Sequence, residues 1–283
     1  MKNEAAQNKS NPQFGLPFEE HGAKVQNDVT PPAKTNVSSR PKAIQDAILP
    51  EGFQAVRLSA ECRSLEELQQ ELLKKLRQNS LETRKRYSQS ILKWFFADGI
   101  DGLLPRVWRA YADEAIVNDL LRYSYLVQER LMGACVADAL FPLENGLVIP
   151  PSYFDKFMTD FLQETPREKT RERLKINLKR LGFLQRAKGK PDRLVSVAPQ
   201  KTSFLILLHH LFAPRSVRTV ELRNLFANPF WKYLGYKTED AVRSALREAD
   251  AARVIGKYIV ADQLEQVTTC FTFEELLQRQ VRL

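Results

Sequence analysis

Thr165-Pro-Arg-Glu-Lys-Thr-Arg-Glu-Arg-Leu-Lys-Ile-Asn-Leu-Lys-Arg-Leu-Gly-Phe-Leu184 runs on into Gln185-Arg-Ala-Lys-Gly-Lys-Pro-Asp-Arg193 and then Leu194-Val-Ser-Val197. The first part carries the punctuation of a helix. Thr165 stands where an N-cap belongs, Pro166 suits a first turn, and Glu168 completes a capping box with Thr165. Gly182, directly after Leu181, is the expected stop. Thr170, Leu174, Leu178 and Leu181 recur at helical spacing and define a face for burial. Arg167, Arg171, Lys175 and Lys179 fall on another face, flanked by Lys169, Arg173 and Arg180. A basic turn follows, Arg186 to Arg193, and Leu194 to Val197 alternates as a strand does before Pro199. Helix, strand, basic turn and strand in this order predict a winged helix, with the helix in a major groove and the turn along a phosphate backbone.

Charge supports this. From Arg167 to Arg193 there are eleven Lys and Arg against three acids, Glu168, Glu172 and Asp192, a local +8 where the whole chain carries +9. Positive charge gathered on one segment is what phosphate binding requires. A lone basic helix could equally be a solvated face laced with Glu–Lys pairs. The basic turn and the strand after it weigh toward nucleic acid.

Outside this segment the chain supports a protein of several small parts. Its 283 residues are 43% hydrophobic, enough for a core. Cys62, Cys135 and Cys270 are odd in number and far apart. They have neither metal spacing nor a disulfide framework, and a reducing compartment with three small core residues is expected. The N-terminus has no apolar leader-like run, and Phe204-Leu-Ile-Leu-Leu208 is far short of the roughly 20 residues that span a bilayer. A soluble, cytoplasmic protein with no membrane partner is expected.

In chain order, residues 1–45 are polar and rich in Asn, Pro and Ser, the composition of a disordered tail, with Phe14, Leu16 and Phe18 as a short docking segment. A helical domain is expected over 46–148. Ser64-Leu-Glu-Glu67 is a capping box opening a helix with Leu65, Leu68, Leu72, Leu73 and Leu76 inward. A second helix, Leu81 to about Phe96, follows a short turn. It carries Arg84, Lys85 and Arg86 in its first turns, where a recognition helix makes base contacts. An ordinary helical hairpin would look similar. Trp94, Phe95 and Phe96 lie at its far end and are assigned to the core. Val107 to Phe141 predicts two scaffold helices. Ser152 caps a helix from Tyr153 to Leu162. That helix pairs with the basic one as the second helix-turn-helix, 149–198.

The last part, 199–283, reads as winged-helix-like. It has a buried helix Phe204 to Phe212, an amphipathic helix Thr219 to Leu234 breaking near Asn228-Pro229, and a helix Asp240 to Val254 capped by Thr238. Strands at Lys257–Ala261 and Gln266–Phe271 complete it. Glu239 to Arg253 holds three cations against four acids, so this unit is expected to be a protein-interaction or dimer module rather than a DNA reader. His209 and His210 are adjacent and cannot share a helix face as metal ligands do. There is no Gly-rich phosphate loop, nucleophile elbow or metal-ligand spacing. No catalytic residue, metal or cofactor is therefore assigned.

Six blocks in order resemble the BrxA family of the bacterial BREX antiviral-defence systems. They are Ser64-Leu-Glu-Glu67, Thr83-Arg-Lys-Arg-Tyr-Ser-Gln-Ser-Ile-Leu92, Leu120-Leu-Arg-Tyr-Ser-Tyr-Leu-Val-Gln-Glu-Arg-Leu131, Phe154-Asp-Lys-Phe-Met-Thr-Asp-Phe161, Asn177-Leu-Lys-Arg-Leu-Gly-Phe-Leu184 and Ser203-Phe-Leu-Ile-Leu-Leu208. The resemblance spans about Ser64 to Phe271 and rests on order and spacing, since no single block is diagnostic. It implies a mostly helical DNA-binding protein without catalysis of its own, beside a methyltransferase, ATPases and a phosphatase-like protein. It also implies a distant likeness to helical RNA-binding antitermination factors.

The sequence therefore predicts a mainly α fold, with tandem helix-turn-helix and winged-helix elements around a central helical scaffold and small β wings. Its expected partner is double-stranded DNA, bound with little sequence specificity, with other BREX proteins as further partners. Arg167, Lys169, Arg171, Lys175 and Lys179 are expected at phosphates or groove edges. Arg186, Lys188, Lys190 and Arg193 are expected along the adjacent backbone, and Arg84, Lys85 and Arg86 at a second contact. An RNA-binding factor and a scaffold for defence proteins are the competing readings.

Overall fold

The computed structural model describes residues 46–186, 190–261 and 264–283, together with the backbone but not the side chain of Pro151. The tail reading and the Phe14, Leu16 and Phe18 segment lie outside the described residues. The chain is mainly helical with two small antiparallel sheets.

The first helices follow their caps. Helix α1, Leu49–Ser59, opens with Pro50 in its first turn. Helix α2, Leu65–Lys75, is capped by Ser64, whose side chain accepts from Glu67 N–H. The Glu67 carboxylate takes Arg63 N–H at 2.7 Å instead of closing the box on Ser64. Helix α3, Leu81–Phe95, is capped in turn by Ser80. Trp94, Phe95 and Phe96 are buried as expected. The α1–α3 approach leaves no room for a side chain at Gly52, where a Cβ would lie 2.4 Å from the Phe95 ring.

After α4, Leu103–Tyr111, the chain turns through Ala112 and Asp113 caps α5, Glu114–Gln128. This is the scaffold helix. Ile116, Val117, Leu120, Leu121, Tyr125 and Leu126 are all buried, and α1, α3, α4, α9 and α11 pack on it. Full burial of each such aliphatic side chain stabilises by about 1.5–3 kcal/mol. Helix α6, Arg130–Ala134, continues into a π-helical segment, Cys135–Leu140. Its late carbonyls are held from outside: Lys237 Nζ donates to Leu140 O at 2.9 Å and Tyr153 Oη to Ala139 O at 2.5 Å.

Helix α7, Pro151–Leu162, begins ahead of Ser152, with Pro150 rather than Ser152 at the cap. Helix α8, Glu168–Arg180, is the basic helix. It also starts later than the sequence predicts: Arg167 holds the N-cap position without a side-chain cap bond, and the Thr165–Glu168 box does not form. The other end fits the expectation. Gly182 adopts φ +83°, Gly182 N–H donates to Lys179 O at 3.0 Å, and Phe183 N–H to Leu178 O at 2.9 Å. This is a Schellman close that glycine makes without strain.

Strands β1, Leu184–Gln185, and β2, Arg193–Leu194, pair antiparallel, shorter than the Leu194–Val197 strand expected. The outer side of β2 is taken by the segment before α7: Leu194 N–H donates to Leu147 O and Ile149 N–H to Asp192 O, each at 2.9 Å.

Helix α9, Lys201–Phe212, is buried over most of its length. The expected helix from Thr219 to Leu234 is instead strand β3, Thr219–Glu221, then α10, Leu222–Ala227, and α11, Phe230–Leu234. Val220 is drawn into the sheet, and Asn228-Pro229 separates the two short helices. Helix α12, Glu239–Ala251, keeps its Thr238 cap. Strands β4, Lys257–Ala261, and β5, Leu264–Thr268, form a hairpin with β5 in the middle of the sheet, between β3 and β4. Strand β5 starts two residues earlier than predicted. Helix α13, Phe273–Gln278, closes the chain on a complete Thr272–Glu275 capping box. That Thr-x-x-Glu signal was present in the sequence and its helix was not predicted.

Candidate nucleic-acid interface

Helix α8 packs through Leu174 and Leu178, with Leu181 at its C-cap, all fully or almost fully buried. One polar residue sits among them. Asn177 is buried, its Oδ1 accepts Ala47 N–H at 2.8 Å, and its Nδ2 donates to Tyr125 Oη at 2.9 Å. Tyr125 stands edge-on to Trp94 of α3, ring centroids 5.0 Å apart. Helices α3 and α8 are thus both referred to the same side chain of α5. Burial pushes the Tyr125 hydroxyl far up, so it remains a neutral hydrogen-bonding group.

A second anchor lies one turn earlier on α5. Asp119 and Arg122 form an ion pair at 3.2 Å, with side chains 7% and 14% exposed. Arg122 Nε donates to Leu181 O, the end of α8, at 3.0 Å, and Nη1 to Leu234 O, the end of α11, at 3.2 Å. Asp119 Oδ2 accepts Gln200 N–H at 2.7 Å and Ser203 Oγ–H at 3.0 Å, the start of α9. One buried pair therefore ties three helix ends together, with the cation on two terminal carbonyls and the carboxylate on the Gln200 amide and the Ser203 hydroxyl. Burial raises the Asp119 carboxyl and lowers the Arg122 guanidinium, each opposed by the partner charge. Both Asn177 and the Asp119–Arg122 pair escaped the sequence reading. Their signal was there, as polar residues at helical spacing inside apolar stripes.

The cations of α8 and its turn divide into two groups. Arg167 and Lys169 are exposed and Lys175 half-buried, and none has an ion-pair partner among the described residues. Lys190 and Arg193 are likewise exposed. The others are held. Arg171 Nε lies 3.2 Å from Asp155 Oδ1 of α7, without an N–H aimed at it, so the pair is coulombic. Lys179 Nζ is 2.9 Å from Asp192 Oδ1 beside β2. Arg173 and Arg180 stand 3.9 and 3.6 Å from the Asp46 carboxylate, which precedes α1. Arg186 Nε donates to Lys190 O at 3.2 Å, closing the turn on itself. Lys188 lies outside the described residues.

On α3, Lys85 and Arg86 are exposed. Arg84 is turned inward: Nη1 donates to Leu73 O of α2 at 2.9 Å. It ties the hairpin together, so of the three cations in the first turns of α3 only Lys85 and Arg86 are exposed.

Charge is balanced differently around α12. Arg243, on α12, is surrounded by Glu265 at 2.9 Å, Glu239 at 3.0 Å and Asp240 at 3.2 Å, which together push its guanidinium up. His209 is buried with Nδ1–H donating to Leu205 O at 2.9 Å, and burial lowers its pKa. The three cysteines are free thiols, Cys135 buried and the other two half-buried. Among the described residues no group of His, Cys, Asp and Glu could hold a metal ion, and no helix is long and apolar enough to cross a membrane. No protein-family model, curated protein or solved structure matches the chain.

Proposed function

We propose that the protein is a non-catalytic, double-stranded-DNA-binding component of a BREX-type defence system, gripping duplex chiefly through phosphate contacts. The observation that carries the reading is a set of cations on and beside α8 and the turn beyond it without ion-pair partners among the described residues, Arg167, Lys169, Lys190 and Arg193 exposed and Lys175 half-buried. The order of elements supports it. Segment 146–149, α7, α8, β1, turn and β2, with β2 between β1 and 146–149, is the order of a winged helix. The C-terminal unit repeats that order with β3, α10 to α12, β4 and β5. Helix α8 is the recognition helix, with the following turn on the backbone. Lys85 and Arg86 form a second contact, and Arg84 is left out because its guanidinium is committed to Leu73 O. The phage-defence setting comes from the BrxA resemblance.

A salt titration tests this. Each lost phosphate contact lowers the slope of log K on log salt by about 0.9. Lys169 and Lys175 are the informative pair, because Lys179 already faces Asp192. Lys169→Glu with Lys175→Glu should lower the slope by about 2. Unchanged affinity and slope would remove α8 from the interface. Structured RNA serves as competitor: the narrow major groove of A-form helices shuts out α8, so stronger competition by RNA would favour the antitermination-like alternative.

A second reading concerns the C-terminal unit alone. Arg243 is neutralised by three carboxylates, and Val260 at the hairpin is 64% exposed. This unit takes a protein partner in the proposal. Loss of a co-purifying partner on Val260→Glu, with DNA binding intact, is its expected signature.

A further inference from the structure

The outward face of α8 is not uniformly basic. Leu174, Asn177 and Leu178 face inward. At 100° per residue the positions opposite them are Glu172 and Ile176, one turn apart. Glu172 is exposed and makes no ion pair among the described residues, and Ile176 is 43% exposed. Ile176 is the one large hydrophobic on α8 that is exposed. Lys169, Lys175, Lys179 and Arg180 ring this centre. An exposed isoleucine is unremarkable by itself. Its position carries the argument: a helix built only to hold phosphates gains nothing from an aliphatic group and a carboxylate in the middle of its contact face. A carboxylate beside phosphates is repelled.

On the floor of a major groove both residues have a use. Cytosine presents its N4 amino group as a donor, and thymine presents its C5 methyl. We propose that Ile176 packs on a thymine methyl and Glu172 accepts a hydrogen bond from a cytosine N4 amino group, giving α8 a base preference on top of its phosphate grip. The proposal rests on the duplex-DNA reading above and adds sequence selection to it. The spacing sets the pattern. Four residues advance a helix by about 6 Å. Base pairs repeat at about 3.4 Å. The thymine and the cytosine therefore fall roughly two steps apart. Lys169, Lys175 and the other cations without ion-pair partners supply most of the affinity, so the preference is modest, about fourfold for one methyl, the factor that burying one carbon group confers.

The test uses the full chain and a random duplex pool. Selection by the wild type should enrich a thymine and a cytosine about two base pairs apart. Deoxyuridine in place of that thymine deletes the methyl alone, and wild-type Kd should rise about fourfold. Ile176→Ala should bind the thymine and deoxyuridine duplexes equally. Glu172→Ala should lose the cytosine preference and bind unrelated duplexes more tightly. Both side chains are exposed, so an unchanged thermal midpoint confirms that the variants fold. A wild type that binds with a steep salt slope, enriches no motif and ignores deoxyuridine overturns the base-reading proposal and leaves the duplex-DNA reading standing. A wild type that binds no duplex at low salt overturns both.

Discussion

Replacing Arg122 with methionine leaves Asp119 as a buried charge without its partner. Asp119 is 5% exposed, and after the change it keeps only Gln200 N–H and Ser203 Oγ–H. The carbonyls of Leu181 and Leu234 lose their cationic donor as well. Removing one member of such a buried pair costs about 3–5 kcal/mol. For a folded unit of this size that corresponds to a fall in Tm of roughly 6–20 °C. Urea unfolding followed by circular dichroism measures the loss at pH 7.5, and a second curve at pH 5 tests its cause. Burial already raises the Asp119 carboxyl above its ordinary 3.8, and without Arg122 it rises further. A carboxyl raised on folding contributes stability that is complete below 3.8 and is lost as pH climbs through the folded value. The Arg122→Met penalty must therefore grow from acid toward neutral pH. Adding Asp119→Asn removes the stranded charge and should restore more than half of the loss. A penalty under about 1 kcal/mol at pH 7.5, or a double variant no better than the single one, would show that the pair does not join the helix ends as argued.

Burial holds His209 and His210 below their ordinary 6.5. The unfolded chain takes up these protons as pH falls through 6.5 while the folded chain lags, so stability should decline on acidification, and His209→Leu should flatten urea midpoints compared at pH 7.5 and 5.5. Two glycines separate backbone strain from crowding. At Gly182, φ +83°, an added Cβ meets nothing closer than Val197 Cγ2 at 3.9 Å, so Gly182→Ala should cost only the strain. That strain is about 1–2 kcal/mol. At Gly235, φ +112°, it would lie 2.6 Å from Val197 Cβ and 2.9 Å from its carbonyl, so Gly235→Ala should cost clearly more; equal losses on thermal melting would refute the distinction.

What the sequence determined by itself is what neighbours in the chain decide. Ser64, Ser80 and Thr238 each open a helix because a side-chain oxygen reaches an amide three residues away. Gly182 ends α8 for an equally local reason. The apolar spacing of Leu174 and Leu178 named a buried face, and adjacency ruled the two histidines out as a ligand pair. Not every local signal prevailed in the folded chain. The Thr165–Glu168 box yielded to a start at Arg167, and an amphipathic pattern from Thr219 yielded to a strand because Val220 completes a sheet with Val267 of β5, 47 residues away in sequence. The site followed the same division. The charge of α8 was legible, but which cations stay unpaired was not, because the carboxylates that hold the others, Asp46, Asp155 and Asp192, arrive on separate elements. The anchors of α8 were hidden for the same reason: Asn177 meets Ala47 from 130 residues away and Arg122 meets Leu181 from 59. Spacing along the chain fixes which groups a helix turn brings together, and only the packing of whole helices decides which distant charge lies within 4 Å of them.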